Sequence, residues 1–430
     1  HVGLQTVGKH FVATRAPGRF LPPSGRIPGM ALGLFLHLPA HGHVNPTLAV
    51  MRELVRRGHR IVAFATPEFR AKIEQTGAEY RSYAGIGDEA AATIARNTDN
   101  PLRIAAAIME ASERILPELL SAMDELGPQP PAFVVHDSMA TWGWCAARVR
   151  GLPAVTTNSI FVYDKVPVSG RFALQLLGLA VASVPALVRY RRSARRIRAA
   201  YGVAPPGIAH AFNLPAKLAV VFTSRTLQPR ADAIGDEYVF VGPSIERTPT
   251  PDDGLVEAAR GRTSVYLAMG TILTDQLPLY RACIRAFGES DRWVVMSVGS
   301  DENARRLGAV PSNVVVRARV PQLAVLAHTD VFITHGGMNS VHESLSSGVP
   351  MVVIPQTHEQ GVVARQVASL GAGVVLSAGR VTPRRLRRAA ERLLADSSYR
   401  ERCRELGRDF RSAGGYARAA DVIVEHARVR

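Results

Sequence analysis

Two short stretches hold the residue types that could carry chemistry. HLPAHGHVNP, residues 37–46, brings His37, His41 and His43 together beside a proline. Imidazole titrates near neutrality and is the side chain best tuned to take a proton from an attacking hydroxyl. His37 lies inside an apolar run and reads as structural, while spacing alone does not separate His41 from His43. Asp137 ends the run AFVVHD (132–137) and could accept a ring N–H, orienting a base and stabilising its imidazolium. His136 beside it would face the other way by strand alternation.

The second stretch is THGGMNSVHESLSSGVPMVVIPQTHEQG, residues 334–361. Its first part reads as strand, tight turn, helix. Gly336 and Gly337 permit close backbone approach, and the free N–H groups of a helix start suit an anion. Asn339 and Ser340 add side-chain donors, and His335 sits at the strand end. Glu343 lies one helical turn on, where a carboxylate suits ribose hydroxyls and would repel phosphate. Glu359 and Gln360 follow the next strand, a carboxylate and an amide fitted to vicinal sugar hydroxyls. The pattern is neither GxGxxG nor a P-loop with lysine. Taken alone, glycines with Asn and Ser at a helix start also serve ordinary turns and caps, and a helix glutamate is also a surface residue.

Positioning these groups falls to alternating short apolar runs and amphipathic stretches. In the first half LGLFLHLP (32–39) reads as a strand, NPTLAVMRELVRRG (45–58) as a helix, RIVAFAT as a strand and PEFRAKIEQTG as a helix. AFVVHD, ATWGWCAARVRG and PAVTTN repeat the order. The second half does so again, from SVYLAMG through VFITHG, MNSVHESLSSG, PMVVIPQ and GVVARQVASLG (361–371) to further helices. Continuous apolar strands alternating with helices imply parallel sheets covered on both faces. GPSIERTPTPDDGLVEAARGRT (242–263) is rich in Pro, Gly and charge and reads as a linker. The expected division is a leader at 1–29, a first domain at 30–241, the linker, a second domain at 264–413 and a last helix at 414–430. The leader lacks periodicity and acid, and Met30 is the expected start. Doubly wound domains bind ligands at the carboxyl ends of their strands, where every polar cluster above falls.

Composition narrows the classes. A formal charge of +16 invites nucleic acid, but the excess is arginine on helical spacing, at 189–198 and 380–394, with Tyr190 the single aromatic among them and no zinc-finger or RNP pattern. Those clusters read as solvated helix faces. Cys145, Cys283 and Cys403 stand far apart with no CxxC pair, which gives no zinc or redox motif and points to the cytoplasm. No DxD pair appears, so no metal requirement is expected. FALQLLGLAVASVPALV (172–188) is interrupted by Pro185 and reads as a buried or ligand-lining helix, its basic flank leaving peripheral membrane contact open.

With these residues in view, VPQLAVLAHTDVFITHGGMNSVHESLSSGVPMVVIPQTHEQ (320–360) resembles the donor-binding signature of UDP-sugar-dependent glycosyltransferases with the two-domain GT-B fold. HGHVNPTLAVMRELVRRGHRIVAFATPEF is similar to the bacterial macrolide glycosyltransferase family, and the likeness extends through LQPRAD, YVFVGPS and GGYARAADVIVE. It implies two Rossmann-like domains facing across a cleft, with the C-terminal helix packing back on the first. It matches the base to His43, with Asp137 as its partner. It implies that Gln322 reads the uracil edge through its backbone, with Val320 and Arg319 beside it. Many relatives carry a base-stacking Trp where this chain has Arg319, whose guanidinium can also stack. Glu343 would hold the ribose. Thr271, His335, Gly337, Asn339 and Ser340 would hold the phosphates, and Glu359 and Gln360 the sugar.

The function implied is inverting transfer of a sugar, glucose foremost, from a UDP-sugar to a small hydrophobic natural product such as a macrolide, polyketide or phenolic aglycone, inactivating an antibiotic or completing its synthesis. No permanently bound cofactor is expected. Residues 84–200, with Trp142, Phe161 and Tyr163, would receive the acceptor. A sterol or lipid acceptor at a membrane surface, or a UDP-sugar epimerase of similar architecture, are the alternatives.

Overall fold

The structure, a computed structural model, describes residues 31–83, 100–162, 183–246, 255, 261–270 and 275–428. Residues 1–29, Tyr163, the apolar segment as far as 182, most of 242–263, and Thr271 lie outside the described residues.

The first half contains β1 Leu32–Leu36, α1 His41–Arg56, β2 Arg60–Ala65, α2 Arg70–Glu74 and β3 Glu79–Ser82. It continues with α3 Pro101–Asp124, β4 Phe133–Asp137, α4 Thr141–Val149, β5 Ala154–Asn158, α5 Val184–Tyr201, β6 Ala219–Val221 and β7 Tyr238–Phe240. Its strands form one seven-stranded sheet in the order β3-β2-β1-β4-β5-β6-β7, parallel throughout.

The second half runs β8 Ser264–Ala268, α6 Leu277–Phe287, β9 Trp293–Ser297, α7 Asp301–Leu307, β10 Val314–Arg317, α8 Gln322–Leu326 and β11 Val331–Thr334. Then come α9 Met338–Ser346, β12 Met351–Val353, α10 His358–Ser369, β13 Gly373–Val375, α11 Pro383–Ala395, α12 Ser397–Ser412 and α13 Gly415–Arg428. The six strands lie in the parallel order β10-β9-β8-β11-β12-β13. Strand order reverses between β1 and β4 in one sheet and between β8 and β11 in the other, and such switch points open a crevice at the strands' carboxyl ends. His43 and Asp137 flank the first crevice; Gly270 and His335 flank the second.

Two helices begin earlier than their sequence suggested. α1 starts at His41, because the Ala40 carbonyl accepts from the His43 and Val44 N–H groups. Pro46 then lies inside the helix, where its missing N–H removes a single bond, to Gly42, near the frayed end. α10 starts at His358, capped by the Thr357 side chain, which accepts from the Gln360 N–H at 3.3 Å. Both changes move polar residues from expected loops onto rigid first turns. PEFRAKIEQTG, by contrast, yields only a 3₁₀ turn at Pro67–Phe69 and the five-residue α2.

The halves are joined by more than the linker. α13 belongs to the first half's core: Ala420, Ile423 and Ala427 share a cluster with Val44, Met51 and Leu54 of α1. Arg57 pairs with Asp421 at 2.7 Å. In exchange, Phe161 and Leu227 of the first half are buried in the second half's core with Tyr266 and Leu345. Gln228, from LQPRAD, braces this insertion by accepting from the Val162 N–H at 3.0 Å and donating to its carbonyl at 2.9 Å. His342 of α9 lies edge-on to Phe410, its Nε2 3.0 Å from the Thr223 hydroxyl across the joint.

The arginine clusters lie where helical spacing puts them. Along α5, Ala186, Tyr190, Ser193 and Ile197 are buried, and Arg189 and Arg196 turn outward to pair with Glu110 and Glu113 of α3. Among the described residues no helix is long and apolar enough to cross a membrane.

Four buried imidazoles make stability depend on pH. Burial lowers His37, His136 and His335 from 6.5 to about 4, and His342 to about 3. The unfolded chain therefore protonates these groups at a higher pH than the folded one, and unfolding takes up protons in between. Their contribution is complete above pH 6.5 and is lost as pH falls toward 4 and 3. Each histidine removes about 1.4 kcal/mol per pH unit within that window. Scanning calorimetry is expected to show Tm dropping steeply from pH 7 to pH 5; a flat profile would mean these rings are not held neutral.

Candidate active site

The first crevice is built on α1 and β4. His43 occupies the third position of α1, and its Nδ1 lies 2.7 Å from Asp137 Oδ2 at the end of β4. The Asp137 side chain is 1% exposed and that of His43 13%. Asp137 Oδ1 accepts from the Met139 N–H at 2.8 Å, so the carboxylate is held from both sides. With Nδ1–H given to Asp137, Nε2 keeps its lone pair. Burial works against an imidazolium here, but the charge and hydrogen bond of Asp137, with Glu359 across the cleft, outweigh it and raise the His43 pKa. Ser159 Oγ lies 3.2 Å from the same Nδ1. Sequence reasoning did not single out this serine; its place just past the strand PAVTTN was the available signal.

Geometry separates the histidines that spacing could not. His41 lies edge-on to Phe69, and its nearest carboxylate is the exposed Glu68 at 3.6 Å. Burial lowers its pKa, and the charges of Lys72 and Arg319 lower it further. His37 is fully inside, with Nε2 2.7 Å from the Thr47 hydroxyl. His136 turns away, its Nδ1 3.0 Å from the Asp137 carbonyl. Two aromatics expected to meet an acceptor are core residues instead. Trp142 is fully buried and edge-on to Tyr83, and Phe161 is inserted in the second half.

The second crevice is built on the turn between β11 and α9. Here the glycines serve the protein's own packing first. A Cβ on Gly337 would stand 2.4 Å from His335 Nε2, and one on Gly270 would stand 2.8 Å from the same ring. The imidazole is thus slotted between two glycines, and Gly336 takes a left-handed φ of 85° over Val353. No side chain caps α9, so the N–H groups of its first turn, including Asn339 and Ser340, have no partner within the helix. Burial holds His335 neutral, with a hydrogen bond to the Ala268 carbonyl opposing the shift.

Glu343 is not the free carboxylate that its spacing suggested. Its Oε2 accepts from the Gln322 amide at 2.6 Å, and the oxygen of that amide accepts from the Tyr266 hydroxyl at 2.9 Å. The Gln322 side chain is therefore engaged inward, between Tyr266 and Glu343. Burial raises the Glu343 carboxyl, and the Gln322 bond works against that shift. Val320 is half-buried against the second half's core. Arg319 is exposed and within electrostatic reach of His41 and Lys72 in the other half.

On α10, Glu359 is open to solvent yet flanked by both halves. The surrounding protein raises its carboxyl, and facing His43 partly offsets this. Gln360 Oε1 accepts from the Gln356 N–H at 2.8 Å, which orients its amide donors. Among the described residues no group of three or more His, Cys, Asp or Glu side chains is arranged to hold a metal ion.

Comparison with known proteins agrees with this architecture. Residues 281–424 match the erythromycin biosynthesis protein CIII-like C-terminal domain. The chain is 30% identical over 402 residues to an uncharacterized UDP-glucosyltransferase, YojK, of Bacillus subtilis, covering 92% of this chain and 97% of that one. It is also 30% identical over 402 residues to the oleandomycin glycosyltransferase of Streptomyces antibioticus, covering 90% and 88%. Among solved structures, the glycotransferase of kitacinnamycin superposes with a TM-score of 0.78 at 31% identity, covering 93% of this chain and all of that one. The calicheamicin glycosyltransferase CalG4 gives 0.75 at 29%, covering 92% and 98%.

Proposed function

Since the chain belongs to the bacterial macrolide glycosyltransferase family, enzymes of GT-B fold that use a nucleotide-sugar donor, we propose that it transfers glucose from UDP-glucose to a hydroxyl of a hydrophobic natural product, with inversion. The observation that carries this reading is the 2.7 Å bond between His43 Nδ1 and Asp137, which leaves Nε2 as the basic nitrogen beside the cleft. The names of the relatives, an oleandomycin glycosyltransferase among them, support the acceptor class.

In this mechanism the acceptor oxygen attacks the anomeric carbon as His43 Nε2 takes its proton. The bond from that carbon to the diphosphate breaks, and UDP leaves with the electron pair. Asp137 stabilises the imidazolium so formed. Direct displacement on an α-linked donor gives a β-glycoside. Charge developing on UDP meets the uncapped start of α9, where fixed N–H groups need no reorganisation. His335, held neutral by burial with one N–H directed to the Ala268 carbonyl, flanks this helix start. Glu343 reads the ribose, and Glu359 and Gln360 receive the sugar hydroxyls opposite His43.

The test is UDP release across UDP-sugars and hydrophobic aglycones, run with EDTA, with product mass and anomeric configuration determined. Acceptor-dependent release that survives EDTA and yields a β-linked product is expected. Activity that requires Mn²⁺ would overturn phosphate binding by the helix start alone. Conversion of the donor without acceptor would overturn transfer itself.

A further inference from the structure

We propose that Tyr266 and Gln322 are positioning residues that lock the Glu343 carboxylate in one rotation, so that a nucleoside diphosphate is selected by its ribose 2′-hydroxyl. This rests on the reading of Glu343 as the ribose contact given above. The lock is built from the core outward. Tyr266 lies in the middle of β8, 1% exposed, and its ring stacks on Phe332 of the paired strand at 4.9 Å with a tilt of 7°. Packing therefore fixes where the hydroxyl sits, and it donates to Gln322 Oε1 at 2.9 Å. An amide with its oxygen committed on one side must present its NH₂ on the other. There it donates to Glu343 Oε2 at 2.6 Å and lies 3.4 Å from Ser340 Oγ. The flipped amide would turn its oxygen against the carboxylate.

The consequence is selectivity. With Oε2 engaged by Gln322, Oε1 is left to accept from a ligand. A mobile carboxylate could turn and give its oxygens to the 3′-hydroxyl, which ribose and deoxyribose share. A locked one cannot, so a missing 2′-hydroxyl leaves a half-buried anion short of a donor, and unmade bonds of that kind discriminate strongly. Burial raises the Glu343 carboxyl, and the Gln322 bond works against that shift.

Titration calorimetry of the full chain with UDP and dUDP, which differ only at the 2′ position, reads this directly. The unmodified protein is expected to prefer UDP by roughly 10–150-fold, the effect of one charge-assisted bond. Tyr266→Phe keeps the ring and its stacking, and should reduce that ratio about 3–10-fold, chiefly through weaker UDP binding. Gln322→Leu, which removes both bonds, should do the same, and Glu343→Gln should nearly abolish the ratio. A ratio unmoved in Tyr266→Phe and Gln322→Leu but lost in Glu343→Gln would overturn the lock and leave the ribose contact standing. Equal loss of UDP and dUDP affinity in Tyr266→Phe would make its role merely structural. A ratio unchanged in Glu343→Gln would remove the ribose contact and the lock together.

Discussion

Replacing His43 by Ala is expected to lower kcat by about 10²–10⁴, the usual share of a positioned general base, while UDP affinity persists. The separation follows from the fold. His43 stands on the first crevice, whereas the proposed nucleotide contacts stand on the second, carried by a different sheet. Removing the imidazole leaves the start of α9, His335 and Glu343 untouched. Calorimetric UDP binding alongside turnover checks both halves of the expectation. The control is His41→Ala, two residues away on the same helical turn. It lacks a buried carboxylate and should retain most of its turnover; the opposite ranking would assign the base to His41.

Asp137→Asn should approach the same loss, about 10²–10⁴ in kcat, although nothing is deleted at the reacting nitrogen. An amide can turn its NH₂ toward Nδ1, which drives the ring proton onto Nε2, the nitrogen that must be free; in a comparable triad this change costs about 10⁴. The pH profile should move as well. Asp137 raises His43 against the opposing effect of burial. Without that charge burial prevails, and the pKa falls. Because the free base is the active form, kcat/KM rises with pH through the His43 pKa, so the acid limb should shift to lower pH in Asp137→Asn. A lowered kcat with an unmoved limb would mean that Asp137 supports the site only through packing.

Much of this was legible in the sequence because parallel sheets write their strands as continuous apolar runs. VFITH and AFVVHD announced both strand ends, and the polar residues at those ends could be located to within a residue or two. What the sequence could not give was how side chains share partners. Spacing to Asp137 along the chain does not separate His41 from His43; only the curl of α1 from His41 onward points one at Phe69 and the other at the carboxylate. Glu343 looked free because Gln322, 21 residues away, reaches it only once α8 and α9 meet. The glycine pair looked like a ligand approach, yet Gly337 also makes room for the neighbouring imidazole. Trp142 and Phe161 looked like acceptor aromatics, but burial is a tertiary property, and Phe161 is buried by the other half. Arg319 likewise faces charges from a domain that lies far off in sequence.

The return of α13 to the first half also orders events in time. The face of α1 carrying Val44, Met51 and Leu54 finds its cover in Ala420, Ile423 and Ala427, which follow the entire second half in the chain. At translation rates of roughly 5–20 residues per second, the ribosome needs on the order of 10–40 s after β7 before that cover exists. Through that interval a nascent first sheet displays an uncovered apolar flank, open to chaperones and to misassembly with its neighbours on a polysome. The two halves are thus separate in architecture and dependent in biogenesis: the first can be finished only after the second has been made.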